Sequence, residues 1–300
     1  MTPVRDALDG KAVALMIFLT LAWGLNGVAA KIANTGYDPV FLTVARSAIA
    51  TVLVLLWCWL RRIPLLEADG TLWPGILAGV LFGGEFLSIF IGLEYSSVGR
   101  VSLLVNTAPF IVLVGAHFLL GERIDAGKVI GLVLAFAGVA LVFSDRLSVT
   151  GPDAWIGDAL GLAAGVLWAA TTLLIKGSRL SVASAEKVLI YQLVVSAIVI
   201  APILLFVESP IRDANLAATI ALFIQAAFIV AFTYMLWFWL VRHYPASALS
   251  SFTFLSPAFG VIGGGLILSE PMTVQIFLAL ALIAVGIFIV NRPRRAATPG

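Results

Sequence analysis

EYSSVGRVSLLVNTAPFIVLVGAHFLLGER, from Glu94 to Arg123, returns in weaker form as HYPASALSSFTFLSPAFGVIGGGLILSEP, from His243 to Pro271. Each copy has a tyrosine near its start (Tyr95, Tyr244) and runs through small and hydroxyl residues to a proline (Pro109, Pro257). A glutamate follows each proline by thirteen residues (Glu122, Glu270), and the second copy is one residue shorter between tyrosine and proline. Upstream, LAWGLNGVAAK (Leu21 to Lys31) aligns with VLWAATTLLIK (Val166 to Lys176), tryptophan over tryptophan and lysine over lysine. Self-similarity of this kind marks one structural unit used twice. The chain therefore divides into an N-terminal unit, 1–145, and a C-terminal unit, 146–300, within one integral membrane body.

The membrane follows from composition. Hydrophobic residues make up 61% of the chain and charged residues 11%, whereas soluble domains carry about 25% charged residues. Apolar runs of about 20 residues recur throughout, enough to cross a hydrocarbon core of roughly 30 Å as helices. They are continuously apolar, which excludes the alternating strands of a membrane barrel. The expected spans are 11–32, 40–60, 72–93, 99–120, 126–144, 155–177, 186–207, 216–241, 246–268 and 273–291, an all-α protein of ten transmembrane helices. The first is longer than a signal-peptide core of about 7 to 15 residues and is read as retained. Cys58, the only cysteine, lies inside an apolar run, so neither a disulfide nor a cysteine metal site is expected.

With both termini in the cytoplasm, thirteen lysines and arginines fall on that side and only Lys31, Arg100, Arg146 and Arg212 on the other, with Arg46 inside a span. The positive-inside rule favours this orientation. Five helices per unit is an odd number, so the second unit enters from the opposite face and the repeats are inverted. That arrangement is associated with alternating-access transporters.

Polar residues inside the spans point to a pathway, because each is costly unless it meets a partner or a cavity. Glu85 lies near mid-depth of the third span. It reads as a protonated carboxyl bonded to a neighbouring helix, as a proton-coupling site, or as an anchor for a substrate ammonium. Helical spacing puts Ser88, Gly92 and Tyr95 on its stripe. The repeat offset sets Tyr234 and Trp237 over Glu85 and Ser88. Trp23 with Asn26, and Trp168 with Thr171 and Thr172, occupy matching places in the first and sixth spans. A tryptophan alone is often an interface anchor; a repeat-related pair, each followed by a polar group, points to a shared cavity. Pro109 and Pro257 each remove a backbone hydrogen bond. Asn106, Thr107, Ser102 and Ser256 nearby fit either a bent helix lining a wet cavity or a kink whose polar groups bond back to the helix.

Other features read as structural. Gly157, Gly161 and Gly165 form a small-residue stripe suited to close helix packing, as do Gly260 with Gly264 and Gly127 with Gly131. Arg46 lies near the outer end of its span, within snorkelling reach. His117 reads as a satisfied polar residue, Glu122 and Glu270 as capping groups, and Lys31 and Lys176 as markers of helix ends.

The Trp and Lys pattern of Ala22 to Lys31, the block GLEYSSVGRVSLLVNTAPF with its downstream GER, and the block HYPASALSSFTFLSPAF with SEP together resemble the drug/metabolite transporter superfamily. Within it the chain resembles the EamA-type carriers, and most of all the YddG-type aromatic amino-acid exporters. The resemblance implies a multi-pass protein of the bacterial inner membrane that exports aromatic amino acids, or other amino acids and drug-like compounds. Trp23, Trp168, Tyr234, Trp237 and Phe252 are then expected to stack on an aromatic substrate, and Asn26, Glu85, Ser88 and Asn106 to meet its charged ends. No cofactor, metal, catalytic residue or nucleic-acid partner is expected, and the oligomeric state is left open. A channel or an intramembrane enzyme is the competing class; the sequence shows no Walker A loop, no intramembrane aspartate pair and only two histidines.

Overall fold

Helices begin where the sequence supplies a cap. In the computed structural model, which describes residues 8–144, 151–268 and 274–292, the Asp9 carboxylate accepts from the Ala12 amide at 2.8 Å to start α1 (Gly10–Gly36). Asp38 does the same for α2 (Pro39–Arg61), with Pro39 filling a first-turn position whose N–H has no helical partner anyway. Asp125, Ser184 and Asn215 cap α6 (Ala126–Phe143), α8 (Ala185–Ile200) and α9 (Leu216–Ile224). The remaining helices are α3 (Leu72–Tyr95), α4 (Val98–Val105), α5 (Ala108–Leu120), α7 (Ala154–Gly177), α10 (Tyr234–His243), α11 (Ala246–Phe252), α12 (Leu255–Leu268) and α13 (Val274–Val290). Gly121 ends α5 at φ 72°, a left-handed turn that suits a residue without a Cβ.

Among the described residues, nine helical segments are long and apolar enough to cross a membrane, and α13 adds an apolar helix of 17 residues. No strand forms there; one isolated bridge pairs Tyr37 with Ile211. Four expected spans are not simple α-helices; that at 186–207 passes from α8 into a 3-10 helix, Ala201–Phe206. The span at 99–120 breaks between α4 and α5, just before Pro109, and that at 246–268 breaks between α11 and α12, just before Pro257. The span at 216–241 contains a π-helical stretch, Gln225–Thr233, between α9 and α10.

Packing between the first half (α1–α6) and the second (α7–α13) is reciprocal. The third span, α3, lies along α7 and α8, while the eighth, α9 through α10, lies along α1 and α2 through its α9 and π portions. The first span, α1, packs on α12, and the sixth, α7, on α4 and α5. Helices α6 and α13 pack on each other, as do α2 and α8. Small residues permit these approaches. A methyl on Gly157 would sit 2.6 Å from the Gly92 carbonyl oxygen, and one on Gly131 would sit 2.6 Å from that of Gly286. Gly165 faces the α4/α5 break, 3.0 Å by the same construction from the Val105 carbonyl oxygen. Gly24 meets the first turns of α12, just past the α11/α12 break, against the Ser256 carbonyl and, by the same construction, 2.8 Å from the Gly260 nitrogen. Two broken helices are thus each seated against a small residue of the opposite half. Glu270, Pro271, Arg146, Arg294 and Arg295 lie outside the described residues.

Candidate functional site

Four spans bring their aromatic residues to one place. Trp23 of α1 lies 5.8 Å, centroid to centroid, from Tyr234 and 5.6 Å from Trp237 of α10. Trp168 of α7 stacks on Trp237 at 5.5 Å and 27°. Phe82 of α3 meets Tyr234 edge-on at 5.6 Å. The indole N–H of Trp23 donates to the Thr233 hydroxyl at 2.9 Å, and that hydroxyl donates to the Ile229 carbonyl. This relay fixes the Trp23 ring against the last residue of the π stretch. A π segment has wider turns than an α-helix and recurs at functional sites; here it leads directly into the two aromatic residues Tyr234 and Trp237.

Glu85 is buried at 4% exposure, and among the described residues it has neither a hydrogen-bond partner nor an ion pair. It lies within coulombic reach of Arg46 and Tyr234. Asn26 is half-buried with its side-chain oxygen unpaired. Thr171 and Thr172 donate back to the carbonyls of Leu167 and Trp168, so their hydroxyls are occupied within α7. The Asn106 amide donates to the Ser102 carbonyl at 2.7 Å and the Thr107 hydroxyl to the Leu104 carbonyl at 2.7 Å. Ser256 instead crosses to α1, donating to the Thr20 carbonyl at 3.0 Å. At the α4/α5 break the polar groups bond back to their own helix, as one sequence alternative has it, whereas Ser256 ties α12 to a neighbouring helix. Ser88 is half-buried on α3, Phe252 is buried in the core, and Tyr95 ends α3 at 44% exposure, about 15 Å along the helix from Glu85.

Arg46 departs from the snorkelling expectation. It is only 2% exposed, and its guanidinium carbon lies 3.7 Å from the Phe86 ring centroid and 5.3 Å from that of Phe90. The side chain turns inward because α2 is covered by α8 and by the π stretch. On α8 the Ser196 hydroxyl reaches Ser47, the residue next to Arg46 in the chain, at 3.3 Å.

Polar ties lie beyond the site at both ends. At the end carrying Asp9, the Tyr244 hydroxyl donates to Asp9, and Lys176 donates to the carbonyls of Val241 and Tyr244. Glu122 accepts from the Ala246 amide at 2.8 Å and from Ser247, capping the start of α11 across the boundary between halves. His117 bonds the Glu122 carbonyl at 2.9 Å, a satisfied polar residue. At the opposite end, Arg100 pairs with Asp158, which also accepts from Ser96, and Arg212 pairs with Asp38 at 3.1 Å.

Comparison with known proteins gives these features a family. Residues 10–144 and again 155–292 match the EamA-like transporter family. The chain belongs to that family. The uncharacterized transporter YvbV of Bacillus subtilis (strain 168) is 31% identical over 297 residues, covering 95% of this chain and 93% of that one. A probable amino-acid metabolite efflux pump of Escherichia coli (strain K12) is 24% identical over 294 residues, covering 94% and 95%. A solved crystal structure superposes with a TM-score of 0.82 at 17% identity, covering 94% of this chain and 96% of that one, a likeness of fold alone. The protein is an EamA-type multi-pass membrane transporter.

Proposed function

We propose that this EamA-type transporter is a secondary exporter of amino acids, aromatic ones foremost, working by alternating access. The observation that carries the reading is the aromatic cluster of Trp23, Trp168, Tyr234 and Trp237, drawn from both halves, beside the buried and unpaired Glu85. Aromatic faces stack on an aromatic side chain, and a carboxylate receives its ammonium. The amino-acid metabolite efflux pump among its relatives supports the substrate class.

The reading includes ten spans in two inverted five-helix repeats, 1–145 and 146–300, with both termini cytoplasmic in a bacterial inner membrane. Reciprocal packing between halves and the twofold family match support it. The ties at the two ends act as gates, Glu122, Lys176 and Tyr244 at one end and Arg100 with Asp158 at the other. Broken helices α4/α5 and α11/α12 supply the hinges. Efflux of labelled amino acids from preloaded proteoliposomes tests the specificity. Tryptophan and phenylalanine are expected to leave at least tenfold faster than lysine or threonine; equal rates for all would remove the aromatic assignment.

A further inference from the structure

Among the described residues, several buried polar donors have no hydrogen-bond partner. Arg46 Nε and Nη2 have none there, nor does Gln225 Nε2, and Gln192 has both amide atoms unpaired at 0% exposure. Leaving such groups dry and unpaired costs about 1–3 kcal/mol each, more when charged. A guanidinium in particular is retained inside a membrane where it serves a site. These residues lie at similar depth on helices that touch one another. Arg46 lies about 10 Å below the Pro39 end of α2, and Gln225 about 13 Å below the Leu216 end of the contacting eighth span. Gln192 is one turn from Ser196, the α8 residue that meets Ser47 beside Arg46.

Building on the amino-acid reading above, we propose that Arg46, assisted by Gln225 and Gln192, is the receptor for the substrate's carboxylate. An ionised carboxylate only accepts hydrogen bonds, and the unpaired atoms of Arg46 and Gln225 only donate. The planar guanidinium matches a carboxylate with two parallel bonds. Its stacking on Phe86 holds the plane in place, as a receptor requires. Phe86 in turn touches Tyr234 at 6.3 Å, so the charged pocket adjoins the aromatic cluster at one side. Glu85 lies within coulombic reach of Arg46 without an ion pair between them, so each charge is free to take an opposite charge of the substrate. The substrate then lies with its carboxylate toward the end that carries Asp38 and Arg212, and its ring toward Trp23 and Trp168.

The test separates this receptor from the exporter reading. Binding of phenylacetate and of phenylacetamide to purified protein is titrated by tryptophan fluorescence, and transport of tryptophan and of tryptophanamide is measured in proteoliposomes. Arg46→Gln and Arg46→Lys are compared with the unaltered chain, each first checked for a monodisperse, cooperatively unfolding preparation. The receptor predicts that phenylacetate binds at least tenfold tighter than the amide, that Arg46→Gln abolishes the preference, and that Arg46→Lys keeps part of it. Arg46-dependent carboxylate binding without any amino-acid transport would sink the exporter reading and leave the receptor standing. Carboxylate binding that is absent, or unchanged in Arg46→Gln, overturns the receptor. So does a variant that loses tryptophan and tryptophanamide transport in equal measure.

Discussion

The Trp23 indole N–H is one of the few long-range side-chain bonds inside the aromatic site. Trp23→Phe keeps an aromatic ring but strands the Thr233 acceptor, and is expected to lower stability by about 1 kcal/mol, with Thr233→Val costing no more on top of it. Chemical unfolding of the two single variants and the double in mild detergent checks the coupling. Asp69, outside the spans, illustrates a different residue-level effect. Bonds from the Thr71 hydroxyl and from Lys187 at 2.9 Å hold its carboxyl below the usual carboxylate range. A depressed folded value means that the tie contributes above the unfolded value of about 3.9 and is lost as pH falls through the folded one. Stability measured from pH 6 down to pH 3 is expected to decline in the unaltered protein and to decline less in Asp69→Asn. At this scale the repeat made Trp23 and Trp168 legible, because duplication singles out a residue that composition hides. Arg46 was not legible as a buried group: depth alone put it within snorkelling reach, and only the cover of α8 and the π stretch decides which way it turns.

Elements follow the same division. The apolar spans can be read directly from the chain, nine of them long enough to cross a membrane among the described residues; the caps Asp9, Asp38, Asp125 and Asn215 went unread, although each precedes an apolar run. The two proline sites were legible as disturbances but not as full breaks, because whether a helix bends or separates depends on what seats against it. Gly165 and Gly24 provide those seats. The π stretch was hidden altogether; QAAFIVAFT has the same apolar character as the α-helix around it. Helix contacts made through small residues are the most exposed to mutation. Gly131→Val places a side chain against the Gly286 carbonyl, and is expected to cost on the order of 1–3 kcal/mol through overpacking between α6 and α13. A fall in the thermal unfolding temperature, with Gly127→Val as a milder comparison, measures it. Glu122 ties α5's end to the start of α11 by accepting backbone and hydroxyl hydrogens. Glu122→Gln weakens charge-assisted bonds, and about 1 kcal/mol of stability is expected to go with it in the same assay.

Across the whole molecule, each half seats a broken helix of the other and gives tryptophan to the central cluster, and the first half caps the start of α11 through Glu122. The ties at both ends are made in this structure; under the alternating-access proposal, one end opens while the other stays tied. Glu85 sits between the halves without a partner and is the candidate for coupling to protons. In proteoliposomes, Glu85→Gln is expected to remove stimulation of tryptophan efflux by an imposed pH gradient and, because the ammonium loses its counter-charge, to weaken exchange between the two sides as well; full stimulation in the variant would dismiss a coupling role. The central claim, a carrier with an aromatic amino-acid site, is tested most directly by counterflow. Proteoliposomes loaded with unlabelled tryptophan are diluted into a trace of labelled tryptophan. The account predicts a transient accumulation of label above its outside concentration, abolished when lysine replaces the internal tryptophan. Simple equilibration with no overshoot, or an ionic conductance in its place, would contradict it.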